Sequence, residues 1–246
     1  MTVLSAMALA GVPEVRPGDD LAAILTTAAG GDLRSGDVIV LAHKVVSKAE
    51  GAIVQLDGVT ASARALELAG ALGKDPRQVQ VILDQSAEIV RAEHGVLISR
   101  SHHGFVCANA GVDASNAGAP GELVCLPRDP DASARALRAA LPGRPAVVIA
   151  DSFGRAWRHG QVDVAIGIAG LAPLEDWRGR TDAAGRELRA TWIAIADEAA
   201  AAADLVRDKS SREPAVLVRG LERHVTADDG PGAAALLRSL GEDLFR

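Results

Sequence analysis

Only four lysines stand among the 26 basic residues of this chain, and two of them, Lys44 and Lys48, share the segment HKVVSKAEG at 43–51. A compact ammonium is a strongly hydrated point charge well suited to phosphate oxygens. In a sequence so biased toward Arg, the pair hints at anion binding, although a solvated strand end fits the spacing equally well. A second candidate is AGVDASNAG at 110–118, with Asp113 and Asn116 three apart in a glycine-flanked loop. A carboxylate there suits Mg²⁺ or Mn²⁺, and the amide suits a phosphate or a base. A turn satisfied by its own side-chain hydrogen bonds is the plainer alternative. The third is VVIADSFGRAWRHGQVDVAIG at 147–167, where Asp151 and Ser152 follow an apolar run and Arg155, Arg158 and His159 come soon after. An acid at the end of a buried strand is a good metal ligand, yet Asp151 could instead cap the next turn. Two Asp-bearing segments and one Lys-bearing segment describe a metal–phosphate site without naming a reaction.

The bulk properties narrow the classes. The net charge is −6 and the pI about 5.5, so there is no global basic footprint and no nucleic-acid partner is expected. An acidic protein that binds an anionic substrate must concentrate positive charge locally or recruit metal ions. The GxxxxGK[ST] loop, the GxGxxG turn, HExxH and GxSxG are all missing from the sequence, so a bound nucleotide is not held in one of the common cradles. Cys107 and Cys125 lie in apolar surroundings, and two thiols make no secreted-type disulfide framework. The opening MTVLSAMALAGVPEV lacks a basic leader region, and its apolar stretch is too short to span a bilayer. A cytoplasmic protein without a membrane partner is expected.

The elements that must position these residues follow from hydrophobic pattern. Runs at 37–42, 52–56, 96–99, 104–108, 145–151 and 214–220 predict strands. Residues 60–72 predict a helix stopped by Gly73, and Asp75-Pro76 opens another through about Val90. Residues 113–122 are turn chemistry, and an Asp-capped helix follows in DPDASARALRAAL. Leu188, Trp192, Ile195, Ala199, Ala202 and Val206 form an apolar stripe that predicts the longest helix over 185–207. A last helix is expected over 231–243. Without a regular βαβ rhythm, the fold class expected is α+β.

The blocks HKVVSKAEG, GFVCANAGVDASNAG, LPRDPDASA, DSFGRAWRHGQVDVAIGIAGL and ADEAAAAADLV…EPAVLVRG, in this order, closely resemble the coenzyme F420-0:L-glutamate ligase family, also called F420:γ-glutamyl ligase. The likeness runs from about Val12 to Gly220. It implies a family-specific α+β architecture with a mixed sheet, assembled as an intertwined homodimer. It implies the reaction of GTP, coenzyme F420-0 and L-glutamate to F420-1, GDP and phosphate, with Mg²⁺ or Mn²⁺ and K⁺ assisting and longer γ-glutamyl tails able to follow. By the resemblance, Asp113 and Asp151 are metal ligands, Ser152 is a ligand of a second metal, and Val12, Pro13, Glu14, Val15, His43, Lys48 and Asn116 contact the nucleotide. Arg155 and Arg158 share a motif with these ligands, and catalytic roles are inferred for them. Where archaeal members carry Glu or Gln as a further metal ligand, this chain has Lys209, which could contact phosphate directly. Residues 1–246 are expected to form one ligase domain, without the flavin-binding C-terminal domain of mycobacterial-type relatives. Two rival readings remain: an F420- or flavin-dependent oxidoreductase, and a non-catalytic F420-binding module.

Overall fold

The computed structural model describes residues 3–115, 118–208 and 211–244. In chain order the elements are β1 (Ser5–Ala8), α1 (Leu21–Ala28), β2 (Val38–Ala42), α2 (His43–Ala49), β3 (Ile53–Gln55), α3 (Ala63–Leu72), α4 (Pro76–Asp84), β4 (Ser86–Glu93), β5 (Val96–Ser101) and β6 (Val106–Ala108). They continue as β7 (Glu122–Val124), α5 (Pro130–Ala140), β8 (Ala146–Arg155), β9 (Arg158–Ala169), β10 (Glu175–Asp176), β11 (Trp192–Ile193), α6 (Ile195–Asp204) and β12 (Ala215–Arg219).

The main sheet has the order β1-β12-β2-β8-β9, with β2 and β8 parallel and the other pairs antiparallel. Its central strands VIVLA, AVLVR and AVVIA read as continuous apolar runs because both faces are covered, and nearly all these side chains are fully buried. Helix α6 packs against all five of these strands, burying Ile195, Ala196, Ala199, Ala200 and Ala203. Alanines let its backbone approach the sheet closely, which accounts for a core built with few aromatic rings. Between β2 and α5 the chain builds a second region, with β3 paired to β7, a β4-β5-β6 sheet, and α3 and α4 around separate small cores. This mixture is α+β, as the sequence indicates.

Most short-range expectations hold. Ser62 caps α3 and Gly73 closes it in the left-handed conformation at φ 66°. Asp75 and Asp129 cap α4 and α5, each with proline in the first turn. Three expectations need correction. The helix opened by Pro76 ends at Asp84 rather than near Val90, because 86–93 pairs with β5 as β4. Two register shifts in that pairing break the alternation that marks a strand in sequence. The helix expected over 185–207 begins only at Ile195. Residues 177–191 instead fold back as a ribbon, with Gly179 N–H donating to Leu188 O and Leu188 N–H to Arg180 O. Trp192 is half exposed beneath the Arg178 guanidinium, 4.1 Å from its ring centroid, so the stripe joined a loop to a helix. The helix expected over 231–243 is two short 3₁₀ turns, Ala233–Leu236 and Leu240–Glu242, separated by extended Leu237.

Candidate active site

Parallel pairing of β2 with β8 ends at Ala42 opposite Ala150, so His43, the first residue of α2, and Asp151, the next residue of β8, emerge side by side. The second region contributes Asp113. A 3₁₀ turn with Asn109 and Ala110 at φ 55° and 52° delivers the chain to it, and its backbone exchanges two hydrogen bonds with Val124. Gly111, also at positive φ, permits this path, since a Cβ there would meet Leu126 at 2.6 Å.

The charges are distributed unevenly. Asp113 Oδ2 accepts from Lys44 Nζ at 2.6 Å and from Ser115 Oγ at 2.9 Å, while Oδ1 accepts the Ser115 N–H at 2.7 Å. Partial burial pushes the Asp113 carboxyl up, but these donors outweigh it and hold it below the ordinary carboxylate range. Both readings of this acid therefore have a basis: it closes its own turn and also pairs with a lysine. Among the described residues Asp151 forms no ion pair with a lysine or arginine, and its Oδ1 accepts the Ser152 N–H at 2.8 Å. Burial drives its carboxyl up to about 7, opposed by the Ser152 N–H and Lys44 and reinforced by the charges of Asp163 and Asp113. His43 is buried and held down at about 3, mainly by burial and then by Lys44, so it is a neutral imidazole. Its Nδ1 lies 3.2 Å from Ser47 Oγ. Its Nε2 lies 3.4 Å from Asp151 Oδ1 without forming a hydrogen bond, a buried polar atom lacking a partner.

These observations bear on a metal. No cluster of three or more His, Cys, Asp or Glu is arranged to hold one among the described residues. A divalent cation of the Mg²⁺ type needs only one or two carboxylates when substrate phosphates complete its shell. Asp113 and Asp151 supply that number, and a buried carboxyl starved of positive charge is what a cation would relieve. The donor set therefore fits Mg²⁺ or Mn²⁺ shared with a phosphorylated substrate. Two clefts, of about 230 and 310 Å³, are lined respectively by residues such as His103 and Asp131 and by residues such as Asp20 and Ser133. Neither includes the carboxylate cluster, to which the main sheet contributes Asp151 and the second region Asp113.

Other residues singled out in the sequence fall at different distances from this cluster. Lys48, on α2, is buried and pairs with Glu14, which places the VPEV segment 12–15 next to α2. Val15 is buried while Pro13 and Glu14 are exposed. Ser152 follows Asp151 directly. Strand β8 does not stop at Asp151 but continues into a hairpin with β9, and Arg155 and Arg158 lie on its exposed outer end. Arg155 is four residues past Asp151, roughly 13 Å along an extended strand, and donates to His159 O at 2.5 Å. Within one chain, then, these two arginines do not join the acids. Asn116 and Lys209 lie outside the described residues. Cys107 and Cys125 are buried, and burial pushes their thiols up to about 12 and about 11, so neither is a nucleophile.

A profile of the F420-0:gamma-glutamyl ligase family matches residues 11–220, which include all the described acids of the cluster and both lysines of α2. The chain belongs to the F420-0:gamma-glutamyl ligase family. It is similar to the coenzyme F420:L-glutamate ligase of Methanothermobacter thermautotrophicus, at 45% identity over 99% of both chains. The proteins of that name from Methanopyrus kandleri and Halobacterium salinarum are 47% and 40% identical, covering 95% and 99% of this chain and 94% and 96% of theirs.

The residues that sequence reasoning passed over are Asp163 and Arg207. Asp163 lies inside a motif already noted, flanked by Val162 and Val164, and an acid on the inward phase of an otherwise apolar strand was the available signal. Arg207 had none, because its partner is 44 residues away.

Proposed function

We propose that this protein joins L-glutamate, through its α-amino group, to the terminal carboxylate of coenzyme F420-0 at the expense of GTP. The observation that carries the reading is Asp113 paired with Lys44 and, on the neighbouring strand end, Asp151 beside neutral His43, on a chain of this family. A carboxylate is a poor electrophile. Transfer of the γ-phosphoryl group of GTP onto a carboxylate oxygen of F420-0 releases GDP and leaves an acyl phosphate. The glutamate amine then attacks the acyl carbon, the C–O bond to phosphate breaks, and the amine's proton passes to solvent or base. Phosphoryl transfer of this kind depends chiefly on positioning and on charge neutralisation.

Each residue has a place in that scheme. Asp113 and Asp151, with Ser152, hold Mg²⁺ or Mn²⁺, which supplies neutralisation and alignment of the phosphate oxygens. Lys44 and Lys48 offer ammonium groups to phosphate once released from Asp113 and Glu14. The segment Val12–Val15, His43, Asn116 and Lys209 contacts the nucleotide, and K⁺ assists. Arg155 and Arg158 reach substrate only from the hairpin end, which is compatible with a homodimer in which that arm lies against a second copy. No helix among the described residues is long and apolar enough to cross a membrane.

Mass spectrometry of products from F420-0, L-glutamate, GTP and Mn²⁺ tests the reading. The expected product is F420-0 plus one glutamyl residue, formed with GDP and only when both GTP and metal are present. Tight F420-0 binding without GTP turnover would leave a binding module instead, and flavin absorbance of the purified protein would point to an oxidoreductase.

A further inference from the structure

Of the lysine pair in α2, the family resemblance gives a role to Lys48 alone. Lys44 is the second residue of that helix, directly behind the end of β2. Its Nζ donates to Asp113 Oδ2 at 2.6 Å and to Ser115 Oγ at 3.0 Å. The Ser115 hydroxyl donates in turn to the same Oδ2 at 2.9 Å, and the Ser115 N–H donates to Oδ1 at 2.7 Å. A carboxylate offers about four lone-pair positions, and these contacts fill both positions on Oδ2 and one on Oδ1. A cation can take Oδ2 only if the ammonium leaves it.

Charge balance makes the ammonium unfavourable to a cation alone and favourable to a cation that arrives with a phosphate. The two carboxylates of Asp113 and Asp151, when ionised, are neutralised by one divalent ion. Lys44 is then surplus positive charge, because His43 is a neutral imidazole and Lys48 is matched by Glu14. The field of Lys44 also reaches Asp151 and His43, so a cation on either acid stands beside a like charge. Phosphate oxygens remove the conflict by supplying the ammonium with a new partner. The Lys44 side chain is 22% exposed, so it can turn off Asp113 without disturbing the buried core.

We infer that Lys44 is an exchangeable counter-ion of Asp113, which yields that carboxylate to the divalent cation and takes a phosphate oxygen of the nucleotide in return. This rests on the metal reading proposed above. Lys44 then opposes metal binding without nucleotide and supports nucleotide binding with metal, so the two enter the site together. A lysine that merely held Asp113 in place would do the reverse, since its loss would misplace the acid and weaken the metal in every condition.

Lys44→Met separates these roles by the sign of its effect, because it keeps the aliphatic stem and removes the charge. Mn²⁺ affinity is measured by electron paramagnetic resonance without nucleotide, and GTP affinity by calorimetry at saturating Mn²⁺, with glutamate and F420-0 absent from both. Lys44→Met is expected to bind Mn²⁺ alone at least about fivefold more tightly than wild type, the lower end of a typical coupling between sites. It should bind GTP about 10- to 100-fold more weakly, the value of a lost charge-assisted hydrogen bond. Lys44→Arg, which keeps the charge, should leave Mn²⁺ binding close to wild type. Unchanged or weakened Mn²⁺ binding in Lys44→Met, or unchanged GTP affinity, overturns the inference. Should Lys44→Met not fold, Lys44→Gln is read by the same two measurements with the same expectations. Adding Asp151→Asn to Lys44→Met should abolish the gained Mn²⁺ binding; if the ion is retained, the metal reading fails and takes this inference with it. If Asp151→Asn alone loses Mn²⁺ in the presence of GTP while Lys44→Met gains nothing without it, only the exchange role of Lys44 fails.

Discussion

Replacing Asp151 by Asn should make the metal-free protein more stable at alkaline pH while removing its metal site. In the native structure burial raises this carboxyl from 3.8 to about 7, and the group is only 18% exposed. The native state therefore holds the proton more tightly than the unfolded chain does. Stability is greatest below the unfolded value of 3.8, declines as pH rises toward about 7, and is level above it. A tenfold change in proton affinity corresponds to ~1.36 kcal/mol, so the whole rise is worth up to about 4 kcal/mol. Asn does not titrate, and groups that titrate alike in both proteins cancel in the comparison. The melting-temperature advantage of Asp151→Asn over wild type, in a chelator, should therefore grow between pH 4 and pH 8. For a chain of this size ~1 kcal/mol moves the midpoint by roughly 2–4 °C, which sets a ceiling of about 8–16 °C on that growth. Adding Mn²⁺ at pH 8 should raise the midpoint of wild type and leave the variant unmoved. A melting difference that stays constant across this pH range would refute the argument, because it would mean that Asp151 is already ionised at low pH.

Asp113→Asn should abolish ligation with the far-ultraviolet spectrum unchanged, and wild-type turnover at limiting Mn²⁺ would remove this acid from the metal site. Lys48→Ala should weaken GTP by roughly ten- to a hundredfold in calorimetry, the value of a charge-assisted hydrogen bond, with little effect on glutamate; unchanged GTP affinity would leave Lys48 as a structural partner of Glu14. Gly170→Ala should lower stability by at least about 1–3 kcal/mol in urea unfolding, since Gly170 has φ +75° and a Cβ would meet Arg138 Nε at 2.1 Å. Lys209→Glu should add a second Mn²⁺ per chain in the presence of GTP, and an unchanged stoichiometry would show that Lys209 does not stand in for a metal-ligand side chain.

What the sequence determined by itself was chemistry and local form. The continuous runs VIVLA and AVVIA are strands because covered strands need no polar face, and Gly73 ends its helix because only glycine takes that conformation cheaply. The lysine pair and the two Asp segments raised a phosphate-and-metal chemistry by residue type, beside plainer readings as a strand end and a turn. Tertiary structure decided where the periodic signal stopped meaning helix. Leu188 and Trp192 continued the stripe of α6, but their backbone groups pair across a ribbon, and helical spacing carries no information about which partner a backbone chooses. It also decided the electrostatics. Asp151 stands beside His43 because β2 and β8 run parallel with Ala42 opposite Ala150, and its carboxyl is raised by burial that no local pattern encodes. Asp163 meets Ser152 across a register shift between β8 and β9, so that contact depends on a pairing that the amino-acid order leaves open until the sheet closes.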